Sequence, residues 1–341
     1  MLRNRKQLAV IAAFLTAVPP QCFGWGQRAH AAIDQAAVES LPADGPVFLK
    51  KYVDWIEASA TVPDTWRGTN TPFLRIEEDP NHGWFREQFS FMPTIPRSRY
   101  EFVLALYDQY LRIRVTDPED AARMNVRWTG TLPYAAMEGY GRLVSAMRLM
   151  RKAQQEQTPQ SQQTIRFLEQ DCAFYTFWLG HYIGDGTQPL HDTIHHDGWQ
   201  GPDPKGYTRD PKIHGRFESA YVEKIGLTAA DIEPRMAPPS FKGDIFDNIL
   251  ELLNRSSSHV EQIYILDKQQ AFEDPNNAEA KSLVYEQTAA AADMLRDLLC
   301  RAWLESGMPL EPGPNPIDEK NPAYNPRTGS APAPLSEPIQ R

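Results

Sequence analysis

Residues 161–191 read SQQTIRFLEQDCAFYTFWLGHYIGDGTQPLH. Apolar residues recur there at spacings of three and four, which predicts a helix over Ser161–Gly184. If the helix runs to Gly184 or Asp185, His181 and Asp185 stand one above the other on a single face. Gly184, Gly186 and Pro189 then break the chain and turn His191 back towards them. Two imidazoles and a carboxylate in this arrangement suit a proton relay, a metal site or a solvated surface. The segment alone leaves all three open.

The same periodicity appears on both sides of it. Ala31–Leu41, Arg99–Arg114, Tyr134–Lys152 and Ala278–Ser306 repeat apolar positions at helical spacing, and no stretch alternates as a strand does. The expected fold is therefore all-α, with one multi-helix domain over residues 25–306. From Pro309 onward nine prolines fall within 33 residues, so residues 307–341 are expected to form a disordered tail. The loop from Asp192 to Pro211 is long for a helical protein, and long loops beside candidate sites often carry function.

The chain carries 35 Lys and Arg against 44 Asp and Glu, a net charge of −9. Its first 24 residues differ from the rest. Arg3, Arg5 and Lys6 precede an apolar run from Leu8 to Val18, and the segment closes on Cys22-Phe23-Gly24. A basic start, a run too short to span a bilayer and small residues at the end describe a secretory signal peptide. The expected product is exported to the periplasm or medium, begins at Trp25 and carries a charge of −12. That charge argues against a broad basic groove for nucleic acid. Cys172 and Cys300 would remain and could pair in an oxidising compartment, but two cysteines make no disulfide framework.

Eight histidines are present, at 30, 82, 181, 191, 195, 196, 214 and 259. His181 and Asp185 form one i, i+4 pair. In IHGRFESAYVEKI, His214 and Glu218 form a second. Such pairs offer nitrogen and oxygen to a cation from one rigid face, although a helical salt bridge has the same spacing. Export would also leave WGQRAH at the start, where a freed α-amino group is partly neutral near pH 8 and able to bind metal. His195, His196 and His259 have no evident partners and read as solvated.

With HYIGDGTQPLH, IHGRFESAYV and the WGQRAH start in view, residues 25–225 resemble the zinc-dependent phospholipase C and single-strand-specific nuclease superfamily. The resemblance implies an all-helical exported phosphodiesterase with three zinc ions. It implies that Trp25, through its backbone nitrogen and oxygen, and His30 bind one zinc. Asp64 of ATVPDTWR, His82 of EDPNHGWF and His181 bind a second, and Asp185 bridges these two. His191, His214 and Glu218 bind the third. The implied catalytic residues are Asp64 and Asp185, with a metal-activated water as nucleophile.

The substrate implied is a phosphodiester, either a phospholipid headgroup or single-stranded nucleic acid. The Trp25–His30 spacing is nuclease-like, whereas Glu218 is phospholipase-like. Gly83 and Phe85 stand where nucleases carry a base-stacking aromatic and an aspartate, which leaves Trp84 as the candidate base platform. Thr65 and Arg28 stand where phospholipases carry an aromatic and an acid. Lys205 and Arg209, with Tyr207 between them, are further candidate contacts for a phosphate or headgroup. The alternatives are a catalytically silent zinc-binding exported protein and a helical interaction module.

Overall fold

A computed structural model describes residues 25–68, 70–309 and 313–336. The expected signal peptide, and its cleavage before Trp25, lie outside the described residues. The long helices are α1 (Gln27–Glu39), α2 (Arg99–Ile113), α3 (Leu132–Glu156), α4 (Pro159–Asp185), α5 (Ile245–Ser257), α6 (Val260–Lys268) and α7 (Ala278–Gly307). Among the described residues there is no strand, only the isolated bridges Trp84–Gly130 and Asn325–Ser330. The all-α expectation holds. No described helix is long and apolar enough to cross a membrane.

Helices α3 and α4 form an antiparallel pair, and the sequence shows why the chain reverses where it does. Gln157 adopts a left-handed conformation (φ 51°) and ends α3. Thr158 caps α4: its hydroxyl accepts from Ser161 N at 3.0 Å while Ser161 Oγ accepts from Thr158 N at 2.8 Å. Pro159 occupies the first turn, where no N–H is needed. Helix α7 packs on α3, α1 and α4, and α1 lies against α4. One apolar cluster runs from Trp25 to Ala302 and includes Ile33, Leu143, Met147, Leu179, Ile183, Leu295 and Leu299.

The contact between α1 and α4 is close because two glycines on one face of α4 make room for it. A Cβ on Gly180 would lie 2.1 Å from Asp34 Oδ1, and one on Gly184 would lie 2.7 Å from His30 Nδ1. His30 thereby reaches the face of α4 that carries His181 and Asp185.

Cys172 and Cys300 are both buried and are not joined in a disulfide. Residues 313–336 of the proline-rich segment also depart from expectation. Arg327 pairs with Asp108 at 2.8 Å, Asn325 Nδ2 donates to Glu101 Oε1 at 3.1 Å, and Ser336 N donates to Asp244 Oδ2 at 2.6 Å. Proline forbids a long helix here, but a chain of successive turns can still satisfy its polar groups on the flank of α2 and the start of α5.

Candidate metal centre

Three groups of buried ligand-type side chains meet at the C-terminal end of α4: His30, His181 and Asp185; Asp64, His82 and His181; and His191, His214 and Glu218. Each element delivers its residue for a local reason. His181 and Asp185 lie on the last turn of α4. Gln188 Oε1 then accepts from Leu190 N at 2.7 Å and fixes the tight turn Pro189–Asp192 that presents His191. His214 and Glu218 lie on a segment that widens into a π-helical turn over Arg216–Tyr221, a rare geometry that is frequent at functional sites. Asp64 comes from the short helix Val62–Thr65, and His82 from the turn Asp79–His82.

The turn holding His82 is joined to the rest of the centre through backbone. Trp84 N donates to His191 O at 2.9 Å, and Thr131 N donates to Pro80 O at 2.7 Å. Gly130 has φ +74°, and a Cβ there would sit 1.8 Å from Gly83 O, so only glycine fits that crossing.

His181 is shared by the first two groups, and Asp185 lies against members of all three. Asp185 Oδ1 lies 3.4 Å from His30 Nε2, and its Oδ2 lies 2.9 Å from His82 Nδ1 and 3.4 Å from His181 Nε2. Asp64 Oδ1 is 3.7 Å from both His82 Nδ1 and His181 Nε2. Glu218 Oε2 lies 2.9 Å from His214 Nε2 and 3.7 Å from His191 Nε2. His191 Nδ1 is 3.8 Å from Asp185 Oδ1, which brings the third group against the first two.

Four of the histidines have one nitrogen fixed from outside. His181 Nδ1 bonds Ala60 O at 2.9 Å, and His191 Nδ1 bonds His82 O at 2.5 Å. His82 Nε2 bonds Glu78 Oε1 at 3.1 Å, and His214 Nδ1 bonds Asp197 Oδ1 at 3.2 Å. Glu78 is itself held by the Tyr182 hydroxyl and by Asn81 Nδ2 at 3.3 Å. In each case the other nitrogen faces the carboxylates. A carbonyl or carboxylate on the far nitrogen is the usual support of a metal-bound histidine, because it sets the tautomer and the ring plane.

The donor set fits divalent cations on a second ground. Both oxygens of Asp64, both nitrogens of His30, Asp185 Oδ1, His191 Nε2 and His214 Nε2 are buried without a hydrogen-bond partner. Leaving so many polar atoms unsatisfied in one place is costly unless a cation satisfies them.

Electrostatics without a cation agree. Burial disfavours a charged His82, but hydrogen bonds to Asp185 and Glu78 raise it to about 9. Burial likewise opposes charge on His214, yet Glu218 and Asp197 raise it to about 10. Burial lowers His181 well below the usual histidine range. Burial also raises Asp64 to about 6, with Asp185 adding to the shift and His82 opposing it. Asp185 is buried but held well below the ordinary carboxylate range by the surrounding imidazoles.

Trp25 is fully buried beside the third group. Its indole donates to Thr187 Oγ1 at 3.3 Å, its ring packs on Phe217, and the next residue, Gly26, donates its N–H to Glu218 O at 3.2 Å.

A pocket of about 200 Å³ opens onto His82, His191 and His214. Its other walls include Arg67, Arg75, Asp79, Phe85, Arg127, Trp128, His196 and Asp197. Arg67 lies 3.6 Å from Asp64 and 3.2 Å from Asp79, and Arg127 lies 2.6 Å from Asp79. His196 is stacked on Phe85, with ring centroids 4.8 Å apart.

The expected substrate contacts are corrected by this geometry. Trp84 is buried among Phe89, Phe102 and Tyr134, so its ring has no face for a base. Lys205 pairs with Glu261, and Arg209 donates to Gly201 O and Trp199 O; neither lines the pocket. Both are held by their own loop and its neighbour because the loop folds on itself: Trp199 N donates to Thr208 O, and His195 stacks on Trp199. His195, His196 and His259, expected to be solvated and without partners, are half-buried and each has one: Trp199, Phe85 and Gln262 respectively.

The sequence reading did not find Arg67, Arg75, Arg127 or Glu78. Arg67 follows Asp64 by three residues and Glu78 precedes His82 by four, spacings that were legible but ordinary in a helical chain. Searches against protein-family models, curated proteins and solved structures found no match to this chain.

Proposed function

We propose that this chain is a metal-dependent phosphodiesterase of the zinc-dependent phospholipase C and single-strand nuclease type, exported and processed before Trp25. The observation that carries the reading is the meeting of three buried ligand groups around Asp185, beside a pocket lined by arginines. The ligand set proposed is Trp25, His30, Asp64, His82, His181, Asp185, His191, His214 and Glu218, and histidine nitrogen with carboxylate oxygen suits zinc.

Bound zinc would polarise phosphate oxygens and supply a strong oxygen nucleophile near neutral pH. The chain's own residues do the rest. Asp185 holds the ligand groups in register, and Glu78 and Asp197 fix the planes of His82 and His214. Arg67, within reach of Asp64 and on the pocket wall, binds a nonbridging phosphate oxygen and offsets its charge. Phe85 and His196 form a flat wall for the remainder of the substrate.

The test is the metal content of the processed protein together with hydrolysis of a soluble chromogenic phosphodiester. About three zinc ions per chain and turnover that chelation abolishes and zinc restores support the reading. Bound zinc without turnover of the diester, single-stranded DNA or lipid supports a silent zinc protein instead. No bound metal in processed protein overturns both.

A further inference from the structure

We infer that the short helix Pro72–Glu78 is a docking tip that seats the mouth of the metal centre on an anionic phospholipid surface; this rests on the phosphodiesterase reading above. The helix reads PFLRIEE. Phe73 is 89% exposed, Ile76 69% and Leu74 41%, so three large apolar side chains meet water within four residues. Single exposed hydrophobes are ordinary, but a cluster at the rim of a polar pocket marks an interaction surface.

The same helix is tied to the centre at its other end, where Glu78 bonds His82. Five residues separate Phe73 from Glu78, or about 7.5 Å along the axis. Arg75 lies between the apolar residues and lines the pocket, as do Arg127 and the half-exposed Trp128. Arg123 lies over the Trp128 ring at 6.0 Å.

Charge and shape together select the occupant. The chain is acidic overall, yet the lining of this mouth sets Arg67, Arg75 and Arg127 against Asp79 and Asp197, and all three guanidiniums act on Asp79. Apolar side chains that enter hydrocarbon, with arginines level with the phosphates, are the pattern of an interfacial anchor on anionic lipid. Bases stack on planar faces, which Phe73 and Trp128 have but the aliphatic Leu74 and Ile76 lack, whereas hydrocarbon accepts all four. The anchor would hold the pocket where a lipid phosphodiester emerges from the bilayer.

The test uses the processed protein and co-sedimentation with vesicles of phosphatidylcholine, with and without phosphatidylglycerol. The wild type should bind both and prefer the anionic vesicles. Phe73→Ser with Ile76→Ser should lower binding by about tenfold or more, with unfolding temperature and turnover of the soluble chromogenic diester unchanged. Ile76→Trp should bind more tightly than wild type. Equal vesicle binding by wild type and the double variant overturns the inference, as does no vesicle binding by the wild type. Patch-dependent dimerisation in light scattering, or patch-dependent binding of single-stranded DNA in place of vesicles, also overturns it. Vesicle binding without hydrolysis of the soluble diester, single-stranded DNA or lipid would leave the docking tip standing and remove the phosphodiesterase reading. Hydrolysis without vesicle binding would do the reverse.

Discussion

His191 and His195 are four residues apart and have different fates. His191 is buried, with Nδ1 fixed by His82 O and Nε2 left facing Glu218 without a hydrogen bond. His195 lies face to face with Trp199, with ring centroids 4.0 Å apart, and its Nδ1 accepts from Gln200 N. Its carbonyl takes the Tyr264 hydroxyl. One imidazole is oriented with a nitrogen to spare; the other is used up in holding a loop. A histidine is thus marked as a candidate ligand by what fixes its far nitrogen and by what its near nitrogen lacks, more than by its place in the sequence.

The largest effect is expected at Asp185, which belongs to the first group and also touches His82 and His191. Asp185→Asn keeps the shape but removes the charge that faces several imidazoles. Bound zinc should fall and phosphodiester turnover should drop by more than about 10³-fold. Full zinc and full rate in this variant would show that the carboxylate is not shared between ligand groups. The matching change in the loop, His195→Asn, should leave zinc content at the wild-type value.

Next is Gly184→Ala. The new methyl would lie 2.7 Å from His30 Nδ1 and 2.8 Å from His30 Cε1, so the ring must move or the helices must part. Overpacking of this kind costs about 1–3 kcal/mol, and the displaced His30 should weaken zinc binding as well. Both are measurable, by thermal unfolding and by metal titration. A variant that unfolds early yet binds zinc normally would separate the packing of α1 on α4 from the metal centre.

These two positions also show what the sequence made legible. The helical period of residues 161–184 and the i, i+4 pair of His181 and Asp185 sufficed to place two candidate ligands on one face, and the structure ends α4 at Asp185. All eight side chains expected as ligands fall within the three groups. The resemblance supplied their distribution, since spacing cannot say that Asp64, 121 residues before Asp185, shares a cluster with His82 and His181. The pocket's arginines were not legible because a guanidinium three residues from an aspartate is commonplace, and only the fold shows that it faces a cavity. Trp84, Lys205 and Arg209 were misplaced for a related reason. Aromatic and basic character was visible, but burial and loop pairing depend on contacts far along the chain. The proline count reported the absence of helix correctly among the described residues, although a segment of turns can still dock, as Arg327 does on Asp108.

A smaller effect is expected at Glu78, which touches the centre only through His82 Nε2. Glu78→Gln should keep a hydrogen bond but lose the negative charge that makes the imidazole a stronger donor. Zinc affinity should fall by about 10–100-fold, and the metal-free protein should lose some stability below about pH 9, because Glu78 helps hold the buried His82 charged. If competition with a chelator shows wild-type affinity, Glu78 is a packing partner of Tyr182 and Asn81 and nothing more.

The smallest signal, a count of protons, distinguishes the two kinds of histidine directly. In the metal-free protein His82 is raised to about 9 and His214 to about 10, because the carboxylates around them outweigh burial. A raised histidine stabilises the fold fully below its ordinary pKa near 6.5 and loses that contribution as pH climbs through the raised value. Between those limits zinc must displace these protons, so apparent zinc affinity should climb with pH up to about 9–10. At about pH 7.5, calorimetric zinc titrations in buffers of different ionisation enthalpy should show roughly two protons released from His82 and His214, plus a fraction of one from a freed Trp25 α-amino group. His195, lowered by burial, has none to give at that pH. Release should shrink by about one proton in His214→Gln and stay unchanged in His195→Asn. Zinc binding with no proton release would mean that the carboxylates do not hold His82 and His214 charged, and that the orphaned atoms of the centre are balanced in some other way.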